Sequence, residues 1–228
     1  MHKSLRVAIT GGTSGLGRAL LAEFRRRGAR VAFVARTARA VEHVAAAHQA
    51  HGIVGDVARK EDIHPIALQL AAALGGLDVL VNNASSLGPT PLAPLADTQC
   101  EDFTLALETN VLGPFRLTKA LLGALTASAR EGRGAVVLNV SSDAAIHPYA
   151  QWGAYGASKA ALRHMSAIWG EELVAEGVRF LSLDPGDMDT PLHAAAVPDA
   201  DAATLKRPEI AARELADAIE AALVKEHA

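Results

Sequence analysis

The chain has 228 residues, 50% of them apolar and 21% charged, with a formal net charge of −3. That balance belongs to a globular chain rather than a disordered or fibrous one, and it supplies no bulk positive field for nucleic acid or anionic lipid. The one cysteine, Cys100, cannot form an internal disulfide, which fits a reducing compartment, and it reads as a small apolar residue rather than a nucleophile. No apolar run approaches the ~20 residues of a bilayer span, and residues 1–4 lead into an apolar run with no room for a signal peptide. The expectation is a cytoplasmic protein with no nucleic-acid or membrane partner.

Short apolar runs occupy residues 5–10, 30–35, 52–55, 77–82, 134–140 and 178–183. Helix-patterned stretches lie between them at 15–27, 38–50, 61–74, a helical pair over 98–129, and 153–176, and an alanine-rich amphipathic helix closes the chain at 209–225. The runs are apolar almost throughout, the pattern of strands covered on both faces. Alternation of strand and helix then gives right-handed βαβ units. The predicted fold is an α/β doubly wound parallel sheet of six strands, with a seventh as the alternative, flanked by helices on both faces. No domain boundary interrupts 1–228. The long irregular stretches 85–97, 143–152 and 187–208 read as substrate loops within a single domain.

The first run passes straight into Thr10-Gly11-Gly12-Thr13-Ser14-Gly15-Leu16-Gly17 and then a helix. Such a turn aims backbone N–H groups and the positive helix end at a pyrophosphate. Gly11 allows the tight turn, Gly15 keeps a Cβ away from the phosphates, and Gly17 brings helix and strand close. Thr13, Ser14 and Leu16 complete the loop. The second run ends Phe33-Val34-Ala35-Arg36. Ala35 stands where a carboxylate would hold the ribose hydroxyls of NAD, and a guanidinium at Arg36, helped by Arg39, suits a 2′-phosphate. NADP(H) is therefore expected over NAD(H). After the third run come Asp56 and Val57, where Asp56 either accepts from the adenine amino group or caps a turn.

Tyr155 and Lys159 are four apart at the start of a helical stretch, so both side chains face one site. A free phenol titrates near ~10. An ammonium about 4 Å away in an effective dielectric near 20 supplies the roughly 4 kcal/mol that would lower it by about three units. Tyr155 is then the general acid/base, and a hydroxyl from Ser141-Ser142, at the end of the fifth run, steadies the substrate oxygen. His147 and His193 match no metal-ligand spacing, and no metal is expected.

Taken together and in order, these residues resemble the short-chain dehydrogenase/reductase family in its small single-domain branch. The cofactor turn matches T-G-x-x-x-G-x-G at Thr10, Gly11, Gly15 and Gly17. N-N-A-G appears as Asn82-Asn83-Ala84-Ser85, with serine in place of the last glycine. The family's tetrad matches Asn110, Ser142 (with Ser141 as second choice), Tyr155 and Lys159, and P-G-x-x-x-T matches Pro185, Gly186 and Thr190. The resemblance implies a Rossmann-type fold and hydride transfer between nicotinamide and a small carbonyl or alcohol substrate. Asn83, Ala84, Pro185, Gly186, Met188 and Thr190 would lie along the cofactor, and Tyr155 and Lys159 would also touch it, Lys159 binding the nicotinamide ribose. Asn110 would hold a water linking Lys159 to solvent. Leu87, Ile146, His147, Tyr149, Trp152, Met188, Leu192 and His193 would line the substrate pocket. Many relatives continue into a seventh strand near a D-G-G segment, which this sequence lacks. A homodimer through the helices after Asn110 and at Tyr155 is therefore expected rather than a tetramer. The alternative is a non-catalytic NADP(H)-binding sensor or scaffold on the same fold.

Overall fold

The structure, a computed structural model, describes residues 4–224. The expectations for residues 1–3 and for Lys225 at the end of the last helix lie outside the described residues. Six strands, β1 (Arg6–Thr10), β2 (Arg30–Ala35), β3 (His51–Val54), β4 (Val79–Asn82), β5 (Ala135–Val140) and β6 (Val178–Leu183), form one sheet. Every pairing is parallel, and the order is β3-β2-β1-β4-β5-β6. The chain works outward from β1 in one direction and then from β4 in the other. The switch between them opens a crevice at the carboxyl ends of these two strands, where open α/β sheets bind ligands.

The apolar runs are continuous because successive residues feed different layers. Val7 and Ile9 of β1, and Val79 and Val81 of β4, join the core under α1 (Gly15–Arg26), α2 (Ala38–His48) and α8 (Pro208–Val224). Ala8 and Leu80 join the opposite core under α3 (Lys60–Leu74) and α5 (Gly113–Arg130). β3 lies at an edge, and Ile53 is its one buried residue, which is why its run was the shortest and least apolar in the sequence. No helix among the described residues is long and apolar enough to cross a membrane.

The helical pair expected over 98–129 is α4 (Cys100–Leu107) and α5, joined not by a break but by a π-helical turn, Glu108–Leu112. Pro114 opens α5 and has no N–H for the Asn110 carbonyl four residues earlier. The helix widens there instead, with the Gly113 N–H donating to the Glu108 carbonyl. The remaining helices that bear on the cleft are α6 (Gly153–Leu173) and the short α7 (Pro191–Ala196).

Candidate active site

The glycine turn is held from two sides. The Gly11 and Gly12 N–H groups donate to the Val34 carbonyl of β2 at 2.8 and 3.3 Å. On the β4 side, Thr10 Oγ1 accepts from the Asn83 and Ala84 N–H groups, both at 3.0 Å, and Asn83 Nδ2 donates to the Thr10 carbonyl at 2.9 Å. Gly11 has a φ of +71°, open to glycine at no steric cost. A Cβ at Gly17 would lie 2.1 Å from the Gly11 carbonyl oxygen, so no other residue lets α1 start this close to the turn. Ser14 precedes α1 in an extended conformation without a side-chain cap, and the first turn of α1 carries no acidic residue. Its first N–H groups are thus left to an anionic ligand, which is what a nucleotide pyrophosphate requires.

From this turn a cleft of about 610 Å³ runs across the carboxyl ends of the strands to α6 and α7. Of the candidate cofactor residues, Gly11, Thr13, Ser14, Gly15, Leu16, Gly17, Arg36, Asp56, Val57, Asn83, Ala84, Pro185, Gly186, Met188 and Thr190 all line it, as do Ser142, Tyr155 and Lys159. Arg36 is exposed at the end of β2, with its reach unspent on the fold. Asp56 Oδ1 accepts the Ala58 N–H at 3.0 Å, so it caps the turn after β3 as well as facing the cleft. Arg39 does not line the cleft.

Tyr155 and Lys159 are both buried at the cleft floor, Lys159 2% exposed. Lys159 Nζ donates to the Val140 carbonyl at 2.8 Å and lies 5.5 Å from the centre of the Tyr155 ring. Burial lowers the ammonium to about 8, against a smaller upward pull from Asp184. Burial also pushes the Tyr155 phenol up to about 12; Asp184 and Asp143 act in the same direction, and hydrogen bonding with Ser142 and Ser85 pulls back. This reverses the expectation that Lys159 lowers the phenol. The ammonium is itself desolvated and engaged by a backbone carbonyl, so burial wins. At neutral pH the phenol keeps its proton.

Asn110 does not line the cleft. It is fully buried, and its side chain is committed: Nδ2 donates to the Ser86 carbonyl at 2.7 Å and to Ser158 Oγ at 2.8 Å, and Oδ1 accepts the Ser86 N–H at 2.8 Å. It ties the loop after β4 to α6.

At the substrate end, Leu87, Trp152, Met188, Leu192 and His193 line the cleft as expected. Ile146, His147 and Tyr149 do not; they are exposed on the segment between β5 and α6, because the 3₁₀ turn after Ser142 directs them outward. Ser85, Ser86 and Asp143, at the starts of two of the expected substrate loops, line it as well, whereas sequence reasoning missed Asp184. Adjacency to Pro185 and Gly186 was the available signal for it. Among the described residues no group of three metal-ligating side chains comes together.

The fold and this cleft are those of a nucleotide-binding oxidoreductase. The sequence profile of the short chain dehydrogenases matches residues 6–201, and the chain belongs to the short-chain dehydrogenase/reductase family. It is 35% identical over 189 residues to a serine 3-dehydrogenase of Rhizobium radiobacter, covering 81% of this chain and 72% of that one. A 3-ketoacyl-(acyl-carrier-protein) reductase from Brucella melitensis, solved with NADH, superposes with a TM-score of 0.88 at 26% identity, over 97% of this chain and 93% of that one. A short chain dehydrogenase from Burkholderia cenocepacia, solved with NADP, gives 0.83 at 26% identity over 94% and 90%. The chain is accordingly an oxidoreductase of this family with a nicotinamide nucleotide site.

Proposed function

We infer that this chain is an NADP(H)-dependent carbonyl reductase or alcohol dehydrogenase with Tyr155 as its acid/base. The observation that carries the reading is the pairing of a buried phenol and a buried ammonium, 5.5 Å from ring centre to Nζ, at the floor of the cleft that begins at the glycine turn. A nicotinamide nucleotide held along this cleft would supply the hydride in reduction and accept it in oxidation. Tyr155 gives its phenol proton to the substrate oxygen in reduction and takes one back in oxidation. The protonated phenol suits the first direction. Lys159 offers the ribose hydroxyls its remaining N–H groups and offsets negative charge as the phenolate forms. Ser142 faces the phenol and the substrate oxygen, and Asn110 fixes the loop carrying Ser85 and Ser86 against α6.

Arg36 supports NADP(H): it is exposed in the cleft at the end of β2, and Ala35 leaves no carboxylate beside it to repel a 2′-phosphate. Solved relatives hold either nucleotide, so the preference rests on these two positions. Fluorescence titration with NADPH and NADH tests it. Arg36→Ala weakens NADPH about tenfold, or roughly 1.4 kcal/mol, and leaves NADH unchanged; equal loss for both would remove Arg36 from the 2′-phosphate. Turnover is then followed as NADPH oxidation with diacetyl, benzaldehyde, cyclohexanone and ethyl acetoacetate. Tight NADPH binding with no turnover would favour the sensor reading.

The reading takes residues 1–228 as one cytoplasmic domain with substrate loops at 85–97, 143–152 and 187–208. It also takes the chain as a homodimer through α5 and α6, which expose Phe115 and Ile168, checked by sedimentation equilibrium.

A further inference from the structure

Ser142 does not stand alone beside Tyr155. Its hydroxyl donates to Asp143 Oδ1 at 3.1 Å, and its oxygen accepts the Ala144 N–H at 3.2 Å. The other carboxylate oxygen, Asp143 Oδ2, accepts the Tyr149 hydroxyl at 2.7 Å. A hydroxyl has a single hydrogen to give. With that hydrogen on Asp143, Ser142 has none to give the phenol or a substrate oxygen until it lets Asp143 go.

We propose that Asp143 is a positioning residue for the reaction at Tyr155: clamped at one oxygen by Tyr149, it holds the Ser142 hydroxyl at the other and so fixes the orientation in which Ser142 meets the phenol. This rests on the acid/base reading of Tyr155. As negative charge develops on the substrate oxygen, the Ser142 hydrogen must leave Asp143 to donate there, and a fixed serine oxygen makes that a rotation about one bond rather than a search. The carboxylate also adds a negative charge near the phenol. The charged groups that bear on Tyr155 are Asp143, Asp184 and Lys159. Those that bear on Asp143 itself are Tyr149, which holds its carboxyl below the usual range, and more weakly His147. The Tyr149 phenol is pushed up by Asp143 first, and also by Asp187 and Asp184.

The chain has two tyrosines, Tyr149 and Tyr155, so an isotope label at tyrosine Cζ gives two resonances, which Tyr149→Phe assigns. In Asp143→Asn the amide oxygen still accepts from Ser142, but the charge is gone. The Tyr155 resonance then titrates at lower pH than in the wild type, by about half a unit or more. In kinetics with the carbonyl panel above, Asp143→Ala lowers kcat about tenfold to a hundredfold with the KM for NADPH unchanged, and Asp143→Asn recovers most of the loss. Tyr149 is exposed, and Tyr149→Phe folds normally while lowering kcat in the same direction; with Asp143→Asn it carries the test if the alanine variant fails to fold. An unchanged Tyr155 titration in Asp143→Asn, or wild-type kcat in Asp143→Ala, overturns the proposal. Tyr155→Phe run alongside separates the two levels. If it turns over normally, the acid/base reading falls and this one with it. If it is silent while Asp143→Ala is not, only the role of Asp143 falls.

Discussion

The two ends of the sheet bury charge in opposite ways. Below the amino ends of the strands, Asp78 is fully buried and saturated. Arg6 reaches it at 2.7 and 3.1 Å, Arg133 at 2.7 and 2.9 Å, and Ser128 donates as well. Burial, the largest influence, pushes its carboxyl up, but Arg133, Arg6 and Ser128 together hold it down at about 2. Above the carboxyl ends, Lys159 is buried as deeply with a backbone carbonyl and no carboxylate in contact, and its ammonium sinks to about 8. Buried charge that is paired is architecture; buried charge left short of partners marks a place waiting for chemistry. The same contrast follows the topology, since open α/β sheets place ligands at the carboxyl ends.

The largest effect expected on this contrast comes from Tyr155→Phe. It removes the proton donor without emptying the space, so turnover falls about 10²- to 10⁴-fold while NADPH affinity, read by fluorescence, stays as it was. A variant that turns over like the wild type would make the upper end as structural as the lower. Asp78→Ala makes the converse claim. It strands two guanidiniums, 13% and 10% exposed, against each other, and is expected to cost about 3–5 kcal/mol in urea unfolding with NADPH affinity unchanged in the folded fraction. The acid limb should carry the same residue. The folded carboxyl titrates at about 2 and the unfolded one at 3.8. Its contribution, about 2 kcal/mol, is complete above pH 3.8 and drains away as the pH falls toward 2.

The upper end was the more legible of the two in sequence, and the reason is local spacing. The glycine turn is eight consecutive residues, and Tyr155 and Lys159 are a single helical turn apart, so period and motif recover them without tertiary information. The strands were legible because both faces of this sheet are covered, which writes an unbroken apolar run. The Asp78 clamp was invisible: its partners Arg6 and Arg133 lie 72 and 55 residues away, and an aspartate between a glycine-rich turn and a strand looks like any loop residue. Depth was the other thing spacing could not give. It correctly set phenol and ammonium on one face but could not say how dry that face is, and burial reversed the sign of the expected shift at Tyr155. Outward-facing Ile146, His147 and Tyr149 were misjudged for a similar reason, since a loop's sequence does not say which way a 3₁₀ turn will point it.

Lys159→Met tests the contrast most directly, because it asks whether the upper end is maintained against the interest of the fold. Methionine keeps the length and fills the same space without a charge. The folded ammonium titrates at about 8 and the unfolded one at 10.5. Below pH 8 the side chain is charged in both states, and the folded state bears the full cost of drying it, up to about 3 kcal/mol. As the pH rises from 8 toward 10.5, the folded lysine is neutral while the unfolded one still holds its proton, so wild-type stability rises through that window and the cost disappears. Lys159→Met is therefore expected to be more stable than the wild type in urea at pH 7, to lose that advantage by pH 10.5, and to have little or no turnover. A methionine variant less stable than the wild type at pH 7 would mean that the Val140 carbonyl and Asp184 repay the ammonium in full. Lys159 would then belong with Asp78, among the charges that hold the sheet together.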